Sequence, residues 1–280
     1  MSRRDRIAHI AQGYVAAKKY SGIEWRVEVD GEAFLTGNAG YADAHTQSPI
    51  PDGALYRIYS MTKPIVSVLA LILAEQGKLR LYDMMAQYDR RFAQMRVLTP
   101  DGDIQPAQRP ITVDDLITHR SGFTYEFIHG CHVAQYYRDA EIIADGTRSL
   151  DEMMGALAEQ PLAFHPGSQW RYSVSTDALA HVCQRAADRP LADLLKELIF
   201  DPLGMEDTAF EVPANKLDRL MPMFGVGNLG GLPPLDFTPQ TLEPMDVEDM
   251  HPHDRPQTFQ RGGHGLFSTL ADYSACLLYT

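Results

Sequence analysis

The sequence predicts a mixed α/β (α+β) fold, with antiparallel strands near the N-terminus and helices over most of the remaining chain. Three observations carry this expectation. The stretch "IEWRVEVDGEAFLTG", residues 23–37, alternates apolar and polar residues around Asp30-Gly31, the pattern of a β-hairpin. Residues 64–74, "PIVSVLALILA", place apolar side chains at Ile65, Val68, Leu69, Ile72 and Leu73, which is helical spacing. Helical periodicity then returns at 149–160, 176–188 and 191–200.

From the N-terminus, "MSRRDRIAHIAQGYVAAKKY" reads as an amphipathic helix; it lacks the unbroken apolar stretch of a signal peptide. The hairpin is next. Pro64 fits a helix only in its first turn, because proline has no N–H to donate and clashes with a preceding turn. Ala70, Leu71 and Ala74 fill most remaining faces of that helix, so burial nearly all round is expected. Gly77 suits the residue just past its end. "ITVDDLITH" reads as a helix with Thr112 as its N-cap, ending before Ser121-Gly122. Ser175, Thr176 or Asp177 can cap the helix after Tyr172. Residues 213–256 hold eight of the eighteen prolines and are expected to form a long irregular segment. Within them "GVGNLG" matches a dinucleotide-binding fingerprint literally, but "GLPPLD" comes directly after it and cannot open a helix, so no cofactor is expected there. A last helix starts near Ser268 or Thr269.

Composition narrows the function. The 280 residues are 45% hydrophobic and 22% charged, ordinary for a globular protein with a substantial core. A net charge of −12 argues against nucleic acid or an anionic membrane as a partner. The longest apolar run, 64–74, is too short to span a bilayer. Cys131, Cys183 and Cys276 are odd in number and far apart, which suits a reducing cytoplasm and implies no disulfide framework. His129, Cys131 and His132 lack a second ligand cluster, so no metal is expected.

Chemistry gathers at "YSMTKP". Ser60 and Lys63 lie three apart at the start of the apolar helix and so share a face, where free N–H groups favour developing negative charge. A hydroxyl beside an amine is the layout of an activated serine nucleophile. A Ser N-cap with a solvated lysine explains the spacing equally well; against it, a lysine leading a wholly apolar helix needs a partner or a cavity. Further on, "PGSQWRYSVSTD" sets Tyr172 just before a helix, where a packed core tyrosine is the plainer reading of the local sequence.

Together "YRIYSMTK", "GKLRLYD", "ITVDDLITHRSGFTY", "PGSQWRYS", "IFDPLGMEDTAF" and "GGHGLFSTLADY" resemble the serine β-lactamase and penicillin-binding superfamily, most closely its class C β-lactamase-like carboxylesterase branch. The resemblance covers most of residues 50–280. It implies a sheet lobe begun by residues 1–90 and resumed at 256–280, a mostly helical lobe over 91–255, and a site in the cleft between them. It also implies Ser60 as the acylated nucleophile, Lys63 as its partner and Tyr172 as the tyrosine of the family's Tyr-x-Asn motif. Lysine and tyrosine ordinarily titrate near pH 10, so either becomes a base only through its neighbours, and which one acts stays open. Two departures from the family pattern matter. Val174 stands where the lactamases have the Asn that holds the lysine and a β-lactam amide, which favours an ester substrate over a β-lactam or a D-alanyl-D-alanine peptide. The family's third motif, on a strand after the segment resembling "GGHGLFSTLADY", is not present, so residues 1–280 alone are expected to have an incomplete sheet and to be a poor hydrolase, or a non-catalytic or truncated relative.

Overall fold

Local chemistry sets the first elements. The structure, a computed structural model, describes residues 2–143, 148–225, 242–248, 251–255 and 260–279. Helix α1 (Arg3–Ala16) opens on a capping box: Ser2 Oγ accepts the Asp5 N–H, and the Asp5 carboxylate accepts the Ser2 N–H. Strands β1 (Gly22–Val29) and β2 (Glu32–Gly40) form the expected antiparallel hairpin. Its turn puts Asp30 at φ 53° and Gly31 at φ 81°, a left-handed pair that aspartate tolerates and glycine adopts without strain. Helix α1 packs on β2.

Strand β3 (Tyr56–Arg57) leads through a 3-10 turn, Tyr59–Met61, into α2 (Thr62–Glu75). Pro64 is the third residue of α2, inside the turn whose N–H groups have no helical acceptor. Gly77 takes φ 69° just past the end. Helix α3 (Met85–Tyr88), the hairpin β4 (Arg96–Leu98) with β5 (Ile104–Pro106), and α4 (Val113–Ile117) come next. Helices α5 (Ala134–Asp139), α6 (Leu150–Ala158) and α7 (Ser175–Ala187) succeed them. Helix α8 (Leu191–Leu195) runs through a π turn, Lys196–Phe200, into α9 (Asp201–Leu203). Strand β6 (Met223–Gly225) pairs with β7 (Glu243–Met245). Strand β8 (Phe267–Ser268) then pairs with β3, and α10 (Leu270–Tyr279) lies against β1. The result is the mixed α/β fold, with small antiparallel sheets among the described residues.

The main core joins Ile65, Leu69 and Leu73 of α2 to Leu179 and Val182 of α7, with Phe92, Leu116 and Phe123 around them; every one of these side chains is buried. The structure corrects three expectations. Helix α2 is not buried all round: Leu71 is 46% exposed, and Val68 and Ile72 are half-buried, because the core covers chiefly the face turned to α7. The N-cap of α7 is Val174, which makes no side-chain cap bond; the Ser175 hydroxyl is instead 2.7 Å from both Ser121 Oγ and Ser173 Oγ, and Ser173 Oγ accepts the Ser175 N–H at 3.3 Å. Residues 213–256 are not wholly irregular. A 3-10 turn, Ala214–Arg219, and the β6–β7 pair form there, and Met221 and Val247 are buried. Pro244 sits in β7, where a two-stranded ribbon leaves an open edge that tolerates proline. "GVGNLG" runs from Gly225 into 226–230, outside the described residues.

Candidate active site

Two helix starts meet at one point. Ser60 belongs to the 3-10 turn that feeds α2, and Lys63 is the second residue of α2. The turn is held open by Tyr59, a non-glycine residue at φ 42°, a conformation that costs on the order of 1 kcal/mol. Tyr59 leans its ring edge on His251, with centroids 5.0 Å apart. Tyr172 comes from the segment just before α7.

Ser60 is exposed, and its Oγ lies 3.1 Å from Lys63 Nζ and 2.5 Å from Tyr172 Oη. All three side chains named from the sequence are thus within one hydrogen-bonded cluster. Lys63 is only 8% exposed. It solves its burial in two ways. Nζ donates to the Gly263 carbonyl at 2.7 Å, and it sits 4.7 Å from the centroid of the Tyr172 ring and 5.5 Å from that of Tyr125. Aromatic faces attract a cation, and a carbonyl acceptor relieves part of its desolvation. A solvated first-turn lysine is therefore not what the fold contains.

Aromatic rings support Tyr172 from two sides. His119 packs on it at 5.1 Å between centroids and Tyr125 at 5.3 Å, while Tyr125 stacks on Phe127 at 4.7 Å. His119 Nδ1 is 3.1 Å from Ser173 Oγ, which begins the buried hydroxyl chain to Ser175 and Ser121. Burial, and then the nearby Lys63 charge, push the His119 imidazole down to about 4, so it is neutral at neutral pH.

Residues 261–267 reach the site through β8. The Ile58 N–H donates to the Leu266 carbonyl at 3.0 Å, and the Leu266 N–H donates to Thr62 Oγ1 at 3.2 Å. These bonds hold the glycine turn beside Lys63. The Gly263 N–H in turn donates to Asp177 Oδ1 at 2.8 Å.

The same chain matches known proteins. A family model described as Beta-lactamase matches residues 7–279. The chain belongs to the beta-lactamase family. Esterase EstB of Burkholderia gladioli is 36% identical over 184 residues, covering 64% of this chain and 44% of that protein. Lovastatin esterase of Penicillium rubens is 30% identical over 243 residues, covering 85% of this chain and 57% of the relative. The chain spans about half the length of these curated relatives. Among solved structures, EstCE1, a hydrolase with promiscuous acyltransferase activity, superposes with a TM-score of 0.81 at 23% identity, covering 97% of this chain and 70% of that one. That likeness shows a beta-lactamase-family fold.

Within this family member, sequence reading missed Gly263, Asp177, Tyr125 and His119 as surroundings of the site. The "RGGHG" and "THRSGF" stretches were signals of order, but nothing local says that Gly263 would meet a residue 200 positions earlier. The triplet His129, Cys131, His132 does not converge: His132 Nε2 is 2.8 Å from the Leu98 carbonyl oxygen, while Arg171 donates to Cys131 Sγ at 2.8 Å. Among the described residues, Asp89, Asp151 and His181 have metal-like spacing. The Arg91 guanidinium occupies that position, 2.6 Å from Asp89 Oδ2 and 2.7 Å from Asp151 Oδ1. An organic cation there serves the charge a metal would serve.

Proposed function

We propose that the protein is a serine hydrolase that cleaves carboxylic esters through an acyl-enzyme on Ser60. The observation that carries this reading is the placing of Ser60 Oγ within 2.5 Å of Tyr172 Oη and 3.1 Å of Lys63 Nζ, at a helix start. In the first step the Ser60 oxygen bonds to the ester carbonyl carbon, and its proton passes to the Lys63–Tyr172 pair. The bond to the alcohol oxygen then breaks, and the pair returns the proton to the leaving alkoxide. Water repeats the sequence on the acyl-enzyme and releases the carboxylic acid. The helix start supplies positive potential for the negative charge on the tetrahedral intermediate. Whichever of Lys63 and Tyr172 takes the proton, the other stabilises the charge left on its partner, so the two act as a unit.

Relatives named as esterases support a small ester as substrate. Val174 supports it further: it is wholly buried in the core cluster and offers no amide to a β-lactam or peptide. Gly263, by its carbonyl, takes over the task of holding the lysine. Three buried, free cysteines support a reducing, cytoplasmic setting. No helix among the described residues is long and apolar enough to cross a membrane.

The test is a fluorophosphonate probe followed by peptide mapping, beside turnover of a simple chromogenic ester. Label on Ser60, lost in Ser60→Ala together with turnover, is the expected result. Label on another serine with Ser60 untouched would overturn the reading. A chromogenic cephalosporin hydrolysed as fast as simple esters would instead favour the β-lactamase activity.

A further inference from the structure

We propose that Asp177 is a positioning residue for Lys63, acting through the main chain of Gly263. The inference rests on the acyl-enzyme reading and adds to it a residue outside the Ser60, Lys63, Tyr172 cluster.

Asp177 is the third residue of α7 and is completely buried. Its Oδ1 accepts the Gly263 N–H at 2.8 Å, and the Gly263 carbonyl accepts from Lys63 Nζ at 2.7 Å. One glycine thus couples the carboxylate to the lysine. The approach is close: a Cβ added to Gly263 would sit 2.5 Å from Asp177 Oδ2. Only a residue without a side chain lets the carboxylate lie against the turn. The same helix start that carries Asp177 is preceded by Tyr172, and the opposing helix start carries Ser60 and Lys63. Gly263 is the splice between the two halves of the site.

The second oxygen gives the stronger argument. Asp177 Oδ2 is buried and has no hydrogen-bond partner among the described residues. A neutral acceptor such as an asparagine amide would satisfy Gly263 equally well through one oxygen, so the single hydrogen bond does not account for a buried carboxyl group. What a carboxylate adds is charge. The titratable groups facing it are Lys63 from α2, Arg261 from the glycine turn, and His119 and Tyr125 from the segment that walls Tyr172. Burial pushes the Asp177 carboxyl up, while Lys63 and the Gly263 N–H act against that rise. The first turn of α7 also favours an anion. Asp177 therefore holds the ammonium at the angle where it meets Ser60, and compensates a cation that the fold has removed from water.

The experiment compares Asp177→Asn, which keeps an acceptor for Gly263 and removes the charge, with Asp177→Ala, which removes both. Ester turnover across pH, with kcat and KM separated, is measured on the full chain beside the rate of Ser60 labelling by a fluorophosphonate and the thermal midpoint. Asp177→Asn is expected to keep the midpoint and KM, to lower kcat about tenfold, and to move the pH profile toward lower pH by about one unit, because removing an anion disfavours the cation beside it. Asp177→Ala should lose about a hundredfold in kcat and label Ser60 correspondingly more slowly. Wild-type kcat and an unmoved pH profile in Asp177→Asn would overturn the proposal, as would a loss of kcat that appears only with a fall in thermal midpoint. A wild-type protein in which Ser60 is never labelled would instead overturn the acyl-enzyme reading, and this inference with it.

Discussion

Ser60 and Tyr172 are 112 residues apart in the chain and 2.5 Å apart in space. If Tyr172 were only a packed core residue, its hydroxyl would be dispensable. Tyr172→Phe removes that oxygen and leaves the ring contacts with His119 and Tyr125 in place. Ester turnover is expected to fall by about 10² to 10⁴, the usual worth of a positioned acid–base group, with the thermal midpoint unchanged. Full activity in the purified variant would reduce Tyr172 to a packing residue. At this scale the Ser60–Lys63 pair was legible, because residues three apart at a helix start must share a face. The acceptor for Lys63 was not, since Gly263 is 200 residues away.

At the scale of an element, α4 is the clearest case of local chemistry deciding structure. Thr112 caps it, as its sequence predicts, and Asp115 closes the box on the Thr112 N–H at 2.9 Å. Asp115 does more than cap: it takes two hydrogen bonds from the Arg109 guanidinium, at 2.6 and 2.7 Å. Burial pushes the Asp115 carboxyl up, but Arg109 and the Thr112 donors outweigh it and hold the group below the ordinary aspartate value. A carboxyl lowered in the fold stabilises it fully above the ordinary carboxylate range, and that contribution is lost as pH falls through the folded value. Asp115→Asn should therefore lower stability by about 2 kcal/mol at neutral pH, and the deficit should shrink in acid. Thermal midpoints of both proteins across acid pH check this; parallel curves would show that the charge of Asp115 contributes nothing.

On the scale of the whole molecule, the glycine turn before β8 decides whether the two helix starts meet. Gly262 packs directly on α7: a Cβ there would lie 2.3 Å from the Thr176 carbonyl oxygen and 2.6 Å from Ala180 Cβ. The first of these is backbone and cannot rotate away. Gly262→Ala is expected to push the turn off α7, carrying the Gly263 carbonyl from Lys63. It should lower both the thermal midpoint and the rate of Ser60 labelling. Gly13 of α1 is the control: with nothing among the described residues within 4 Å of its Cβ position, it should accept alanine without loss of either. Labelling at the wild-type rate in Gly262→Ala would show that the turn does not set the position of Lys63.

The sequence by itself determined the elements whose causes are local. The hairpin turn at Asp30-Gly31, the Thr112 cap, the helix opened by Pro64 and the three-residue spacing of Ser60 and Lys63 all depend on neighbours within a few positions. Motif order along residues 50–280 determined the family for the same reason, since each motif is a short local signature. Only the tertiary structure decided which faces were covered and what met what. Leu71 is exposed although its helix reads as buried nearly all round, because exposure depends on where α7 lies. Lys63 has a carbonyl and two aromatic rings around it, and Asp177 lies behind Gly263, because the β3–β8 pairing returns residue 267 to residue 57. A buried charge is stabilised by whatever the fold brings within a few ångströms, and that distance is unrelated to separation along the chain.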